Sequence, residues 1–152
     1  MDRVPRFPLI QPIEQWDELT LLAANVFCEA EGEPDEGKVA VAWVVRVRAD
    51  RRKKSVHEVI LQPYQFSWLN MDYRLKAEAR LAAANVDTAE RCWRAAAGAL
   101  WRFLPDPTDG SDHYLNVELT KKIRPKHDLP EWFDTQKIVA VIGNHTFLKL
   151  ET

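Results

Sequence analysis

Four glutamates, Glu29, Glu31, Glu33 and Glu36, crowd into the stretch FCEAEGEPDEGKVAVAWV, which runs from Phe27 to Val44 directly behind an apolar run with helical spacing. A glutamate near pKa 4.3 in water can be lifted to about 6 by desolvation, where it still holds a proton close to neutrality and can deliver it as a general acid. Glu29 is best placed for this. It stands where the helical pattern ends, so its side chain can project from a rigid apolar wall into whatever cleft the Gly32-Glu33-Pro34 turn opens. Glu33, four residues on, can share that side if the helical geometry persists, whereas Glu31 and Glu36 are expected to face water. The competing reading is that Glu33, Asp35 and Glu36 simply favour the dipole at the start of a second helix. Residue chemistry alone leaves both open.

The elements that would position Glu29 follow from periodicity. Glu18 to Ala30 carries Leu19, Leu22, Val26 and Ala30 at helical spacing. After the Gly32 and Pro34 interruption, a second helix is expected from about Asp35 to Arg48, apolar nearly all round as a central core helix would be. The segment SVHE, from Ser55 to Glu58, fits a capping box for a short helix to Leu61, and DTAE, from Asp87 to Glu90, fits another for a helix to about Phe103. Met71 to Ala84, rich in Ala and Arg, reads as helix. Beyond the turn formers of LPDPTDGSD, HYLNV is a strand candidate, and the apolar runs flanking Gly143-Asn144 form a hairpin candidate. The expectation is one α+β domain over residues 1–152, mostly helical and lysozyme-like, with a small C-terminal antiparallel β element and an extended N-terminal arm over residues 1–17.

Composition narrows the function. The 152 residues are 46% hydrophobic and 29% charged, ordinary for a globular chain able to bury roughly 68–70% of its unfolded surface. The 23 acidic and 21 basic residues nearly balance, and the one basic run, Arg51 to Lys54, lacks an aromatic or second basic stripe, so a solvated loop is expected and nucleic acid is not. Cys28 and Cys92 lie in apolar helical stretches with no C-x-x-C spacing, as small buried hydrophobes do. No apolar run approaches the roughly 20 residues that span a bilayer. The start shows no secretory h-region, so synthesis in the cytoplasm without a signal peptide is expected. His57, His113, His127 and His145 show no H-E-x-x-H or similar spacing, and neither metal nor cofactor is expected. Ser67 has no His and Asp at a recognised triad spacing.

Four segments, in order, carry a resemblance. EAEGEPDEGKVAVAWV resembles the E-A-R-G-E-P-x-E-G-Q-x-A-V-A-x-V signature of the SleB/CwlJ-type cell-wall hydrolases, the spore-cortex-lytic enzyme family that also includes phage lysins. SVHEVILQPYQFSW is similar to the family's V-x-x-V-I-x-Q-P-x-Q-F-S segment, DPTDGSDHYLN to its D-P-T-x-G-A-x-Y-Y-x-N, and WFDTQKIVAVIGNHTFLK to a Trp followed by I-G-x-H-x-F. The match spans about Leu19 to Lys149. It implies cleavage of peptidoglycan with the first Glu of the signature, here Glu29, as acid/base. It also makes Glu33, Gln65, Phe66, Ser67, Tyr114, Asn116, Trp132 and His145 candidate substrate-binding positions. Two departures stand out: Glu31 occupies a position usually held by Arg, and Val47-Arg48 replaces an Asn-Arg pair.

Glycosidic cleavage ordinarily uses two carboxyls, about 5–5.5 Å apart when the second is a nucleophile and about 6.5–9.5 Å apart when it activates water. Asp109, Asp112 and Glu118 are the available second carboxylates for such a muramidase. Without one, the 6-hydroxyl of N-acetylmuramic acid can attack its own anomeric carbon, with Glu29 first giving and then taking a proton, which is lytic transglycosylation. A zinc-dependent N-acetylmuramoyl-L-alanine amidase, or a glycan-binding module without catalysis, are the remaining alternatives. The expected partner is the bacterial peptidoglycan glycan strand, met by a monomer without membrane insertion. The expected setting is a phage or prophage endolysin acting on the cell wall, in the periplasm, after release.

Overall fold

The computed structural model describes residues 6–124 and 126–151. Its first long helix, α1 (Glu18–Ala30), begins where the Asp17 side chain accepts the Thr20 N–H at 2.7 Å, satisfying one of the donors a helix start leaves unpaired. It sinks Leu21, Leu22, Val26 and Phe27 into the core. Helix α2 (Asp35–Arg52) follows after a turn, buried along most of its length by its Ala and Val residues. Helix α5 (Val86–Leu100) lies against both, and Ala89, Ala95, Ala96 and Ala99 let the backbones approach closely. At Gly98, an added Cβ would sit 2.4 Å from the Leu104 side chain, so the chain leaving α5 folds back only over a residue without one. Helices α3 (Val56–Leu61) and α4 (Met71–Ala82) complete the wall, the first with both halves of the expected capping box.

The sheet comes last and is antiparallel, ordered β1-β3-β2, with β1 at His113–Leu115, β2 at Ile138–Ile142 and β3 at His145–Leu148. Gly143 takes φ +57° in the β2–β3 turn, a left-handed conformation that glycine adopts without a Cβ penalty. Central strand β3 is buried throughout, and β1 brings Tyr114 alongside Phe147. The fold is therefore α+β, mostly helical, with a small antiparallel element near the C-terminus.

Several boundaries differ from those expected. Residues 1–5 of the expected arm lie outside the described residues. The rest of it is not extended: it turns at Leu9–Ile10, forms a short 3-10 helix at Ile13–Gln15, and buries Phe7 between the rings of Trp16 and Trp93. Apolar burial of Phe7, Ile13 and Trp16 overrides the proline punctuation. Helix α2 runs one turn beyond Arg48, so Arg51 and Arg52 are helical, and only Lys53, left-handed at φ +54°, ends it. Their guanidinium groups do not face water alone. Arg51 binds Asp112 at 2.6 Å and Arg52 binds Glu151 at 2.6 Å, tying α2 to the segments that lead into β1 and out of β3. Helix α5 is capped by Asn85, not Asp87, and stops at Leu100. A further helix, α6 (Val117–Ile123), follows β1 directly where only a strand end was expected.

Candidate active site

Glu29 is the penultimate residue of α1, and the next turn of the chain leaves the helix, so its side chain reaches past the core wall and stays half-buried. Two hollows meet on it. One, of about 280 Å³, is lined by Glu29, Arg48, Gln65, Phe66, Tyr114 and Trp132, with Tyr64 and His113 at its rim. The other, of about 210 Å³, is lined by Glu29, Ser67, Tyr73, Lys76 and Arg80 among others. A third, of about 470 Å³, shares Tyr64 and Phe66 with the first and continues the depression toward Met71. The acid thus stands where adjoining hollows meet, and together they form the groove. A hollow of about 430 Å³ elsewhere is ringed by Asp35, Asp87 and Arg91, but these are exposed groups that neutralise one another, with Arg91 at 2.6 Å from Asp35 and 2.9 Å from Asp87.

Burial pushes the Glu29 carboxyl above the ordinary carboxylate range. The Tyr114 hydroxyl, donating to Oε1 at 2.8 Å, and the charges of Arg48 and Arg80 oppose that rise. Tyr114 is itself lifted well above the usual phenol range, first by burial and then by the neighbouring Glu29, so it remains a donor. The arrangement is that of a carboxyl whose acid form is favoured by burial and whose orientation is fixed by one neutral hydrogen bond.

Of the expected positions, Gln65, Phe66, Tyr114 and Trp132 line the same hollow as Glu29, and Ser67 lines the other. Trp132 is 40% exposed and rests against the His113 ring at 5.2 Å, so its face is free to carry a sugar ring. Three expected groove residues are committed elsewhere. Glu33 is buried under the β2–β3 turn, where it accepts the Asn144 backbone N–H at 2.8 Å and its side-chain amide at 3.1 Å. His145 is buried with Nδ1 3.3 Å from Glu33 and its ring edge-on to Tyr114 at 5.0 Å; burial lowers its pKa, so it packs as a neutral ring. Asn116 caps α6 by accepting the Leu119 N–H at 3.0 Å. Glu33 and His145 therefore brace the wall behind Tyr114 and do not line the groove.

None of the proposed second carboxylates lines the two hollows that meet at Glu29. Asp112 is fully buried and saturated: it accepts from Arg51, His113 and the backbone N–H groups of Leu150 and Glu151, all within 2.8 Å. Burial would raise its pKa, but those hydrogen bonds outweigh it and hold the carboxyl below the ordinary range. Asp109 and Glu118 are exposed on a loop and on the first turn of α6. Burial carries the thiols of Cys28 and Cys92 up to about 12, far from a reactive thiolate. Among the described residues no group of three or more His, Cys, Asp or Glu side chains gathers as a metal-binding cluster.

Arg48, His113, Tyr64 and Arg80 line the groove without having been singled out as site residues. Arg48 carried a weak signal, a charge between Val47 and Ala49 in a helix rich in Val and Ala, which also holds Lys38 and Arg46. The others carried none.

A family model described as Cell Wall Hydrolase matches residues 32–148. The chain belongs to that family. The match opens at Gly32, just past Glu29, so the role of Glu29 rests on its geometry. Two solved structures are similar to this cell wall hydrolase. The catalytic domain of the Bacillus cereus SleB protein is 28% identical, with a TM-score of 0.61 over 87% of this chain and 89% of that one. The catalytic domain of the germination-specific lytic transglycosylase SleB from Bacillus anthracis is 26% identical, with a TM-score of 0.63 over 89% of this chain and 98% of that one. No curated protein sequence matches the chain. Peptidoglycan-degrading activity follows from the family and from the SleB likeness together.

Proposed function

We propose that this cell wall hydrolase is a lytic transglycosylase that cleaves the bond between N-acetylmuramic acid and N-acetylglucosamine, with Glu29 as its single acid/base. The observation that carries the reading is that Glu29 is the one carboxylate lining the two hollows that meet on it, while exposed Asp72 lines only the third. One structurally similar protein is itself described as a lytic transglycosylase.

The chemistry balances with one carboxyl. Protonated Glu29 gives its proton to the glycosidic oxygen as the bond to the anomeric carbon breaks, releasing the N-acetylglucosamine hydroxyl. The 6-hydroxyl of the muramyl ring then bonds to that carbon and returns its proton to Glu29, leaving a 1,6-anhydro end and the enzyme as it began. Tyr114 is a positioning residue that fixes which Glu29 oxygen is free to face the substrate. Arg48 and Arg80 lower the cost of the carboxylate formed between the two proton transfers. Trp132 and Tyr64 offer ring faces on the substrate side.

Digestion of purified sacculi in water enriched in oxygen-18 tests the reading. Transglycosylation leaves the new muramyl ends unlabelled, and label in every new end would mean hydrolysis. An endolysin role belongs to the same proposal, and its test is expression with and without a holin: lysis confined to cells carrying the holin supports it, and lysis without one contradicts it.

A further inference from the structure

Arg48 is 7% exposed, yet it has no carboxylate partner among the described residues. Its Nε donates to the backbone carbonyl of Asp112 at 2.7 Å, and the Asp112 carboxylate is already taken by Arg51, His113 and two backbone N–H groups. The guanidinium lies over the Phe66 ring, 5.6 Å from its centroid, and lines the hollow that Glu29 shares with Tyr114 and Trp132. No hydrogen bond from its two terminal nitrogens to a described residue is formed. Arginine cannot shed its charge in a protein, so these terminal nitrogens, which belong to a residue lining the hollow and form no bond to the described residues, are donors left open to a ligand. Its planar fork matches a carboxylate or amide oxygen.

The glycan strand carries one group that fits and that also separates its two sugars: the lactyl carboxyl on muramic acid, free or joined as an amide to the stem peptide. Acetamido groups occur on both sugars and cannot tell them apart. We infer that Arg48 reads this lactyl carboxyl and thereby selects the muramyl ring for the position beside Glu29. The inference rests on the glycosidic cleavage proposed above and deepens it by naming the group recognised.

Binding separates the two claims, because it needs no turnover. Calorimetry on the Glu29→Gln protein compares peptide-free glycan strands with a free lactyl carboxylate, the same strands with that carboxyl reduced to an alcohol, and chitooligosaccharides of equal length. The expected result is a loss of about 10- to 100-fold on reduction, the range for a charged hydrogen bond, with chitooligosaccharides equally weak. Adding Arg48→Met should bring all three ligands to similar affinity, and Arg48→Lys, which keeps charge but not the fork, should retain part of the preference. Equal affinity of the Arg48-intact protein for carboxylate and reduced strands would overturn the inference without any change at Arg48. A preference surviving in a folded Arg48→Met protein would overturn it too, as would a variant whose only change is a shifted pH profile, since that marks Arg48 as a partner of Glu29 alone. Failure of the transglycosylase reading would show instead in the products of the unmodified enzyme.

Discussion

Removing the Tyr114 hydroxyl should move the alkaline limb of the pH–rate profile upward. In the folded protein that hydroxyl donates to Glu29 Oε1 at 2.8 Å and works against the burial that raises the Glu29 pKa. A hydrogen bond to a charged group is worth about 1.5–3 kcal/mol and one between neutral groups about 0.5–1.5 kcal/mol. Its loss in Tyr114→Phe therefore penalises the carboxylate more than the acid by about 1–1.5 kcal/mol, which at 1.36 kcal/mol per pH unit is a displacement of about 1 pH unit. If protonated Glu29 starts the reaction, activity falls as pH rises through its pKa, so the variant should stay active to higher pH even though its peak rate drops. The assay is clearance of purified sacculi across the pH range at substrate concentrations well below saturation, with circular dichroism to establish that the fold persists. A limb that does not move, or moves down, would refute Glu29 as the titrating acid or Tyr114 as its donor.

Glu29→Gln should lower turnover by about 100- to 10,000-fold, as expected when a general acid is lost. Its stability should respond to pH with a definite sign. The raised folded pKa means wild-type stability declines as pH rises from the ordinary carboxylate range through the folded value, a loss the amide does not suffer, so its melting temperature should gain on wild type toward pH 8. Asp112→Ala should destabilise by about 3–5 kcal/mol in urea unfolding, because Arg51 and two backbone N–H groups lose their acceptor. Its depressed pKa contributes stability above the ordinary carboxylate range that disappears as pH falls through the folded value, and Asp112→Asn should flatten that acid-side loss. Glu33→Ala should cost about 1–3 kcal/mol by leaving the Asn144 donors unpaired. Its cleavage pattern should stay unchanged wherever it is folded, and altered product ends would return Glu33 to the groove.

What could be read from the sequence was local. The α1 periodicity, the Ser55–Glu58 capping box and the Gly143-Asn144 turn each depend on residues a few positions apart, and each formed as expected. Helix α6 was missed because seven residues capped by Asn116 give too short a pattern to stand apart from the strand before it. The groove was legible through the motif order for Gln65, Phe66, Tyr114 and Trp132, but motif order carries no direction. Glu33 shares its motif with Glu29 and His145 shares one with Trp132, yet both point into the hairpin, since the bonds that hold Glu33 come from Asn144, 111 residues away. Arg48 becomes interpretable only once Asp112, 64 residues on, is seen to spend its carboxylate on other donors.

The most direct test of the central claim is a mass-spectrometric profile of the soluble products released from purified sacculi by the wild-type protein and by Glu29→Gln. Transglycosylation through Glu29 predicts 1,6-anhydromuramyl ends from the wild type and their disappearance in the variant. Reducing muramyl ends, free stem peptides, or anhydro ends that persist without the Glu29 carboxyl would contradict it.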